Sequence, residues 1–383
     1  MSQSLRGSAA FVGAALAGIG EAHGMSSMDI VAEAAKKALT ECGLTAQDVD
    51  GLYGCLPTDI LSTMTVAEYL GIQPKISDNN RIGGSSFLTH TLSAAMAIKE
   101  GLCEVALIYY GSNQRTGAGK LVSPVKNPLY EEAYKPIFPL SSYALAASRH
   151  MYEYGTSRTD LAHVAVSARQ WAEKNPEAFM RDPLTIEECL ESRLVSDPLS
   201  VRDCCLVTDG GGVLIMVSAE RAKQMPKKPV YLLGAAAAHW HCQISSMPDF
   251  TVTAAKDSGE RAYAMAGMSP SDIDVVQLYD AFTINTILFL EDLGFCAKGE
   301  GGAFVSSGAI APGGTLPVNT NGGGLSCNHP GMYGMFTLVE AIRQLRGEAG
   351  ARQIVGAEVA LCHGNGGVLS SQVTNILGTE SCL

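Results

Sequence analysis

Four short stretches of this sequence carry side chains able to do chemistry. His329 sits in NTNGGGLSCNHPGMYG, residues 319 to 334, with three glycines before it and a proline after it. Such a run is neither helix nor ordinary strand, so it holds the backbone in an unusual loop and aims one imidazole. An imidazole so placed can shuttle a proton or donate to a developing enolate or alkoxide oxygen. The alternative is a buried histidine satisfied by loop carbonyls. Cys362 and His363 stand before Gly364 and Gly366 in LCHGNGGVLSS. Backbone amides of a glycine loop there can cradle an oxyanion, while the thiol is equally a small buried apolar residue. Tyr279-Asp280-Ala281-Phe282 closes the apolar run VVQL, and ligands bind at strand ends in α/β proteins. Asp280 serves equally as a helix N-cap. In RIGGSSFLTH, Gly83 and Gly84 lead a helix whose first amides and dipole would stabilise an anion or a nucleophile, with Ser85 or Ser86 as its cap.

The elements that must position these residues alternate short apolar runs with amphipathic segments, an α/β pattern. Strands are expected at Ala9–Leu16, Val49–Tyr53 and, as a continuous buried run, Val105–Tyr110. Helical spacing marks Met28–Cys42, Ser85–Glu100, Ser141–Tyr154, Arg158–Lys174, Arg261–Met268, Thr283–Leu293 and Met332–Gly347. A polar stretch from Gly111 to about Pro139 opens an excursion that runs to about residue 201. Asp209-Gly-Gly-Gly leads into another strand, and the stretch from Ala222 to Pro229 is the best linker. The second part then begins again, with VYLLGAAAAH resembling FVGAALAGIG, and it ends in a strand to Cys362, a glycine loop and VLSSQVTNIL. The expected units are therefore residues 1–225, with an excursion over 111–201, and residues 226–383.

The chain has 383 residues, 46% of them apolar and 17% charged, enough to bury a large core. A net charge of −11 argues against nucleic-acid and anionic-membrane surfaces. Lys120, Lys126 and Lys135 could still form a local basic pocket for a phosphorylated ligand, or simply be solvated. Eleven scattered cysteines, with no CxxC pair, suit a reducing cytoplasmic compartment and imply neither a zinc site nor a disulfide framework. The apolar N-terminus is too short and glycine-broken to span a membrane. His239 and His241 alternate as strand residues and read as pocket wall, without further ligands for a metal. His90 and His363 are candidates to face the same cavity. Asp203 and Asp209 read as turn formers.

A glycine-led helix, a strand ending in acidic-Ala-Phe, the GGGLSCNHPGMYG loop and the terminal CHGNGG occur in that order. Together they resemble the thiolase superfamily, near the sterol-carrier-protein-type and lipid-transfer-protein-like members, over essentially the whole chain. The resemblance implies a duplicated five-layered αβαβα fold with a loop domain in the first half. It implies a coenzyme A thioester as substrate, no bound cofactor, and a homodimer. Counting back from Ile98 and Gly101, which match the family's Ile-x-x-Gly, its nucleophilic cysteine falls on Gly84. No cysteine lies between Cys55 and Cys103, and the adjacent Ser85 is a poorer nucleophile than a thiolate. The family's Asn or His before acidic-x-Phe is here Tyr279, and Tyr333 adds a second phenol. This departure looks like the thiolase-like aldolases of steroid side-chain degradation, which work with a small OB-fold, zinc-ribbon partner. It implies retro-aldol cleavage of a β-hydroxyacyl-CoA, with Tyr279, His329 and Tyr333 steering charge and Asp280 or a water as relay. The alternatives are an acyltransferase using Cys362 or another thiol, and a non-catalytic acyl-CoA or lipid-binding subunit.

Overall fold

The structure is a computed structural model that describes residues 5–118 and 129–383. Lys120 and Lys126 lie outside the described residues. The chain runs β1 (Ala9–Gly20), α1 (Ser27–Cys42), β2 (Gly51–Gly54), α2 (Ser62–Leu70), β3 (Ile76–Asp78), α3 (Ser86–Lys99) and β4 (Val105–Ser112). The excursion follows, with α4 (Leu140–Tyr154), α5 (Arg158–Glu173), α6 (Ile186–Glu191) and the small pair β5 (Leu194–Ser196) and β6 (Leu199–Ser200). Then come β7 (Asp209–Ser218), α7 (Ala219–Ala222), β8 (Val230–His239), α8 (Ala255–Ala266), β9 (Val275–Leu278), α9 (Thr283–Asp292) and α10 (Gly301–Ser306). The last elements are α11 (Gly334–Arg346), β10 (Val359–Gly366) and β11 (Ser371–Gly378).

The two sets of strands share one plan. β2-β4-β7-β1 are neighbours in that order, the first pair parallel and the other two antiparallel. β9-β10-β11-β8 repeat this order and these directions. β3 extends the first set at its edge. Hydrogen bonding runs continuously through all nine strands. The junction is narrow: β1 meets β8 only at Ala10–Tyr231 and Phe11–Val230. Helix α3 packs on β2, β4 and β7 and also on β8, β10 and β11, while α11 packs on strands of both sets too. The two strand sets therefore face each other across α3 and α11. α1 covers the outside of the first set and α8 that of the second, which gives the five layers.

Local sequence explains why the inner helices fit between two sheets. α3 presents small residues at Thr91, Ala94 and Ala95 and buries Phe87 and Leu88, so both sheets approach closely. α1 starts at a Ser26/Asp29 capping box and stops at Gly43, whose φ of 72° is left-handed. The terminal glycines differ from expectation. Gly364, Asn365 and Gly366 are not a loop but the end of β10, paired with β11 as Gly364–Val373 and Gly366–Ser371. A strand tolerates glycine where another backbone comes close, and here the tip of α3 does.

Candidate active site

The N-terminal ends of α3 and α11 meet. A Cβ on Gly334, the first residue of α11, would fall 2.0 Å from the Gly84 carbonyl oxygen. A Cβ on Gly364 would lie 2.9 Å from Ser85 Cα, and one on Gly366 would lie 1.7 Å from the Ile82 carbonyl oxygen. Glycine at these positions is what lets strand and helix tips touch. At Gly84 the obstacle is a side chain: a Cβ there would fall 1.9 Å from Cε2 of Tyr279. The phenol ring occupies the space a side chain at 84 would need.

Around that ring lies an aromatic cluster. The Tyr279 hydroxyl sits 2.8 Å from Nε2 of His329 and 3.4 Å from the Gly331 carbonyl oxygen. Tyr279 meets both His329 and Tyr333 edge-on, while His329 and Tyr333 lie nearly parallel at 6.3 Å. Burial pushes the Tyr279 and Tyr333 phenols well above the usual tyrosine range and pushes His329 down to about 4. His329 is thus a neutral imidazole, with Nδ1 lacking a partner among the described residues. Its backbone is tightly fixed: the amide donates to Thr208 Oγ1 at 2.9 Å, and the carbonyl accepts from Gln114 Nε2 at 2.8 Å. Tyr110 donates to the Pro330 carbonyl and accepts from the Met332 amide at 3.1 Å.

Asp280 holds the glycine run. Its carboxylate accepts from the Gly324 amide at 2.6 Å and from the Leu325 amide at 3.4 Å. A Cβ on Gly323, where φ is 65°, would fall 2.0 Å from Asp280 Oδ2. Burial raises its pKa to about 7, and these amides oppose the rise. It bonds neither Tyr279 nor His329, which instead meet each other directly, phenol to imidazole. It does not cap α9 either, since Phe282 is that helix's N-cap.

Other sequence candidates take structural places. Tyr333 donates its hydroxyl proton to Asn321 Oδ1 at 3.0 Å. Ser85 donates to the Ile82 carbonyl and shares a 2.7 Å contact with Ser371 Oγ. Cys362 is fully buried, its thiol 3.5 Å from the Thr337 carbonyl in α11 and pushed far up in pKa by burial. It packs beneath that helix. His363 has Thr374 and Gln372 on its two nitrogens, stacks edge-on against Phe289 and is held neutral by burial. His90 is buried beside Phe87, and His241 contacts the Val368 carbonyl at 3.0 Å. Among the described residues no group of three or more His, Cys, Asp or Glu is arranged to hold a metal.

Sequence reasoning missed Tyr110, Gln114, Tyr143, Thr208 and Asn321. Tyr110, Gln114, Tyr143 and Thr208 stand in no motif and meet the site only through the fold, whereas Asn321 lies inside the 319–334 run, where its bond to Tyr333 had no local signal. Asp209 is more than a turn former: it accepts from the Ala22 amide at 2.9 Å and from the Arg115 amide at 2.8 Å. A cavity of about 530 Å³ lies between α4, the segment 129–137 and the loop 244–250, lined by Tyr134, Ser142, Leu145, Ile244 and Phe250 among others. Among the described residues its walls carry hydroxyls and the carboxylates of Glu131 and Asp197.

This arrangement has close counterparts. Residues 236–379 match the family described as thiolase C-terminal domain-like. The chain is 32% identical to an acetyl-CoA acetyltransferase of Methanothermobacter thermautotrophicus, over 96% of this chain and 98% of that protein. It belongs to the thiolase superfamily. Within that superfamily it is 35% identical to a steroid side-chain-cleaving aldolase of Thermomonospora curvata, over 87% of this chain and 90% of that one. A solved structure described as the Ltp2–ChsH2(DUF35) aldolase superposes with a TM-score of 0.88 at 33% identity, covering 98% and 99% of the two chains. This thiolase-superfamily chain is accordingly an enzyme of the lyase or acyltransferase kind.

Proposed function

We propose that this enzyme cleaves a carbon–carbon bond of a β-hydroxyacyl-CoA by a retro-aldol reaction, without a covalent acyl-enzyme. The observation that carries the reading is the Tyr279 ring in the space beside Gly84. At the position matching the family's nucleophile there is no side chain, and a phenol already bonded to an imidazole stands in its place. The aldolase names of two similar proteins support it.

The chemistry follows from that pair. The β-hydroxyl gives its proton to the Tyr279 oxygen as Tyr279 passes its own to His329 Nε2. The Cα–Cβ bond breaks, Cβ becomes a carbonyl, and the electron pair becomes the enolate of the shortened acyl-CoA. That enolate takes the proton back from the imidazolium at Cα. Moving the proton through in concert avoids an isolated tyrosinate, which burial disfavours strongly. A buried imidazole is a weak base but a strong acid once protonated, which suits the return step. Amides at the tip of α3 face the enolate oxygen, where a helix N-terminus stabilises negative charge.

We assign the substrate's neutral arm to the cavity beside α4. Lys135 is exposed between two cavity-lining residues, Tyr134 and Pro136, and suits a phosphate at the rim. Residues 1–225, with the excursion, and 226–383 form the two duplicated units of this reading. A homodimer and a small OB-fold, zinc-ribbon partner are its implied assemblies, the latter supported by the DUF35 component named for the similar aldolase. Cytoplasmic location goes with free thiols throughout the described chain.

Acyl transfer is the second reading, favoured by the similarity to the acetyltransferase. Assaying the purified protein, alone and with its partner, against β-hydroxyacyl-CoA thioesters separates the two. A shortened acyl-CoA plus an equimolar ketone or aldehyde is expected. Thiolysis of a 3-ketoacyl-CoA by free CoA, without aldol cleavage, would overturn the proposal.

A further inference from the structure

A directional hydrogen-bond chain links the β10–β11 hairpin to the excursion. His363 Nε2 lies 2.8 Å from Gln372 Oε1, and His363 Nδ1 lies 2.9 Å from Thr374 Oγ1. Gln372 Nε2 donates to Asn365 Oδ1 at 2.9 Å, and Asn365 Nδ2 donates to the Tyr143 hydroxyl at 2.8 Å. Tyr143 then donates to the Gly367 carbonyl at 2.9 Å. The amide oxygen of Gln372 can only accept, so His363 carries its proton on Nε2 and accepts from Thr374 at Nδ1. Every amide and ring in the chain has one way round, and all five residues are buried.

The chain ends on backbone that touches the helix tip. A Cβ on Gly83 would fall 2.6 Å from Gly366 Cα and 3.0 Å from the Gly367 nitrogen. The register of Gly366 and Gly367 therefore sets where the tip of α3 sits. Of the five side chains, only Tyr143 comes from the excursion. Its ring lies 4.4 Å from that of Phe282, in the motif that carries Tyr279. At the other end of α4, His150 is anchored to Glu291 at 3.0 Å, so the helix bearing Tyr143 is fixed to α9.

We infer that Tyr143 is a positioning residue for the cleavage: acting through Asn365, it locks the Gly364–Gly367 backbone against the tip of α3, with Gln372 and His363 holding the chain's direction. This rests on the tip being the reaction site. It moves His363 from the pocket to the support of the pocket, and it gives the excursion a part in the chemistry beyond covering it.

Two single substitutions and their combination test it. Tyr143→Phe keeps the ring and removes the bond to Gly367. Asn365→Asp keeps the shape, removes the donor to Tyr143 and turns that hydroxyl away from Gly367. Each should lower kcat for the β-hydroxyacyl-CoA about 10- to 100-fold, with KM within about threefold, because geometry and not affinity is lost. The double variant should be no worse than the poorer single, since both cut one chain. Tyr152→Phe removes an exposed phenol from the same helix and should leave kcat unchanged. Unchanged kcat in the singles, losses that multiply, or a change confined to KM would overturn the inference. Nitrogen NMR of 15N-histidine-labelled protein reads the chain without turnover. A neutral Nε2–H His363 is expected, and an Nδ1–H tautomer breaks the chain. If the unsubstituted protein cleaves nothing, the function fails while this tautomer still decides the relay.

Discussion

The two inner helices occupy equivalent places in the repeated plan, yet their tips are filled in opposite ways. Gly83 and Gly84 lead into α3 and leave no side chain at its approach. α11 begins beside His329 and Tyr333, a packed aromatic group. The empty tip and the full one are complementary, because Tyr279 reaches into the space Gly84 leaves. Nucleophilic catalysis from the α3 tip needs a side chain there, and Tyr279 has taken the room. In the proposed mechanism, the missing side chain on one tip and the phenol beside the other together exchange covalent capture for proton transfer.

The comparison is most exposed at the full tip. Tyr279→Phe keeps the ring and its packing but removes the proton path, so kcat/KM should fall on the order of 10²–10⁴-fold while the thermal midpoint barely moves. Full activity would assign the chemistry elsewhere. His329→Gln should cost a comparable factor, whereas Tyr333→Phe, whose hydroxyl serves Asn321, should cost less in rate and more in stability.

The empty tip gives the next largest effect. Gly84→Cys drives its side chain into the Tyr279 ring and should destabilise the fold by about 1–3 kcal/mol, measured by denaturant unfolding. Adding Tyr279→Ala should restore part of that loss, a coupling expected only if the two positions share one volume. Independent, additive effects would show that they do not.

Titration gives the smallest and most diagnostic difference. Burial lowers His90, His329 and His363 from about 6.5 to about 4. Unfolding therefore takes up protons as pH falls below about 6.5, and the stability these groups contribute above it drains away toward pH 4. Asp280 acts in the opposite sense. Its folded pKa, raised from 3.8 to about 7, gives stability that is present at low pH and is lost as pH rises through 7. Unfolding free energy should thus rise from pH 5 to 7, and rise more steeply in Asp280→Asn, with a change on the order of 1 kcal/mol per pH unit. An unchanged slope would mean that Asp280 does not titrate there.

Much of this was legible from residues. The strands at Ala9 and Val105 and the helices from Ser27, Leu140 and Arg158 follow from periodicity, and the Tyr279–His329–Tyr333 group from the motifs together with the family resemblance. Four things were not. β10 continues through Gly366, because the reason for those glycines is a helix tip contributed from residue 84. The continuous ladder rests on two residue pairs between β1 and β8 that no local pattern encodes. Cys362 and His363 alternate along a strand, so one faces α11 and the other Phe289, and neither reaches the phenols. The direct bond from Tyr279 to His329 spans 50 residues of sequence and depends on how α11 enters the core.

Intact-mass spectrometry during turnover tests the covalent question most directly. The protein is mixed with a β-hydroxyacyl-CoA, quenched in acid within the turnover time and weighed while products are followed in parallel. Product without any added acyl mass on the protein is the expected result. An acyl group trapped on any of the 11 cysteines, formed and lost at the rate of turnover, would contradict it.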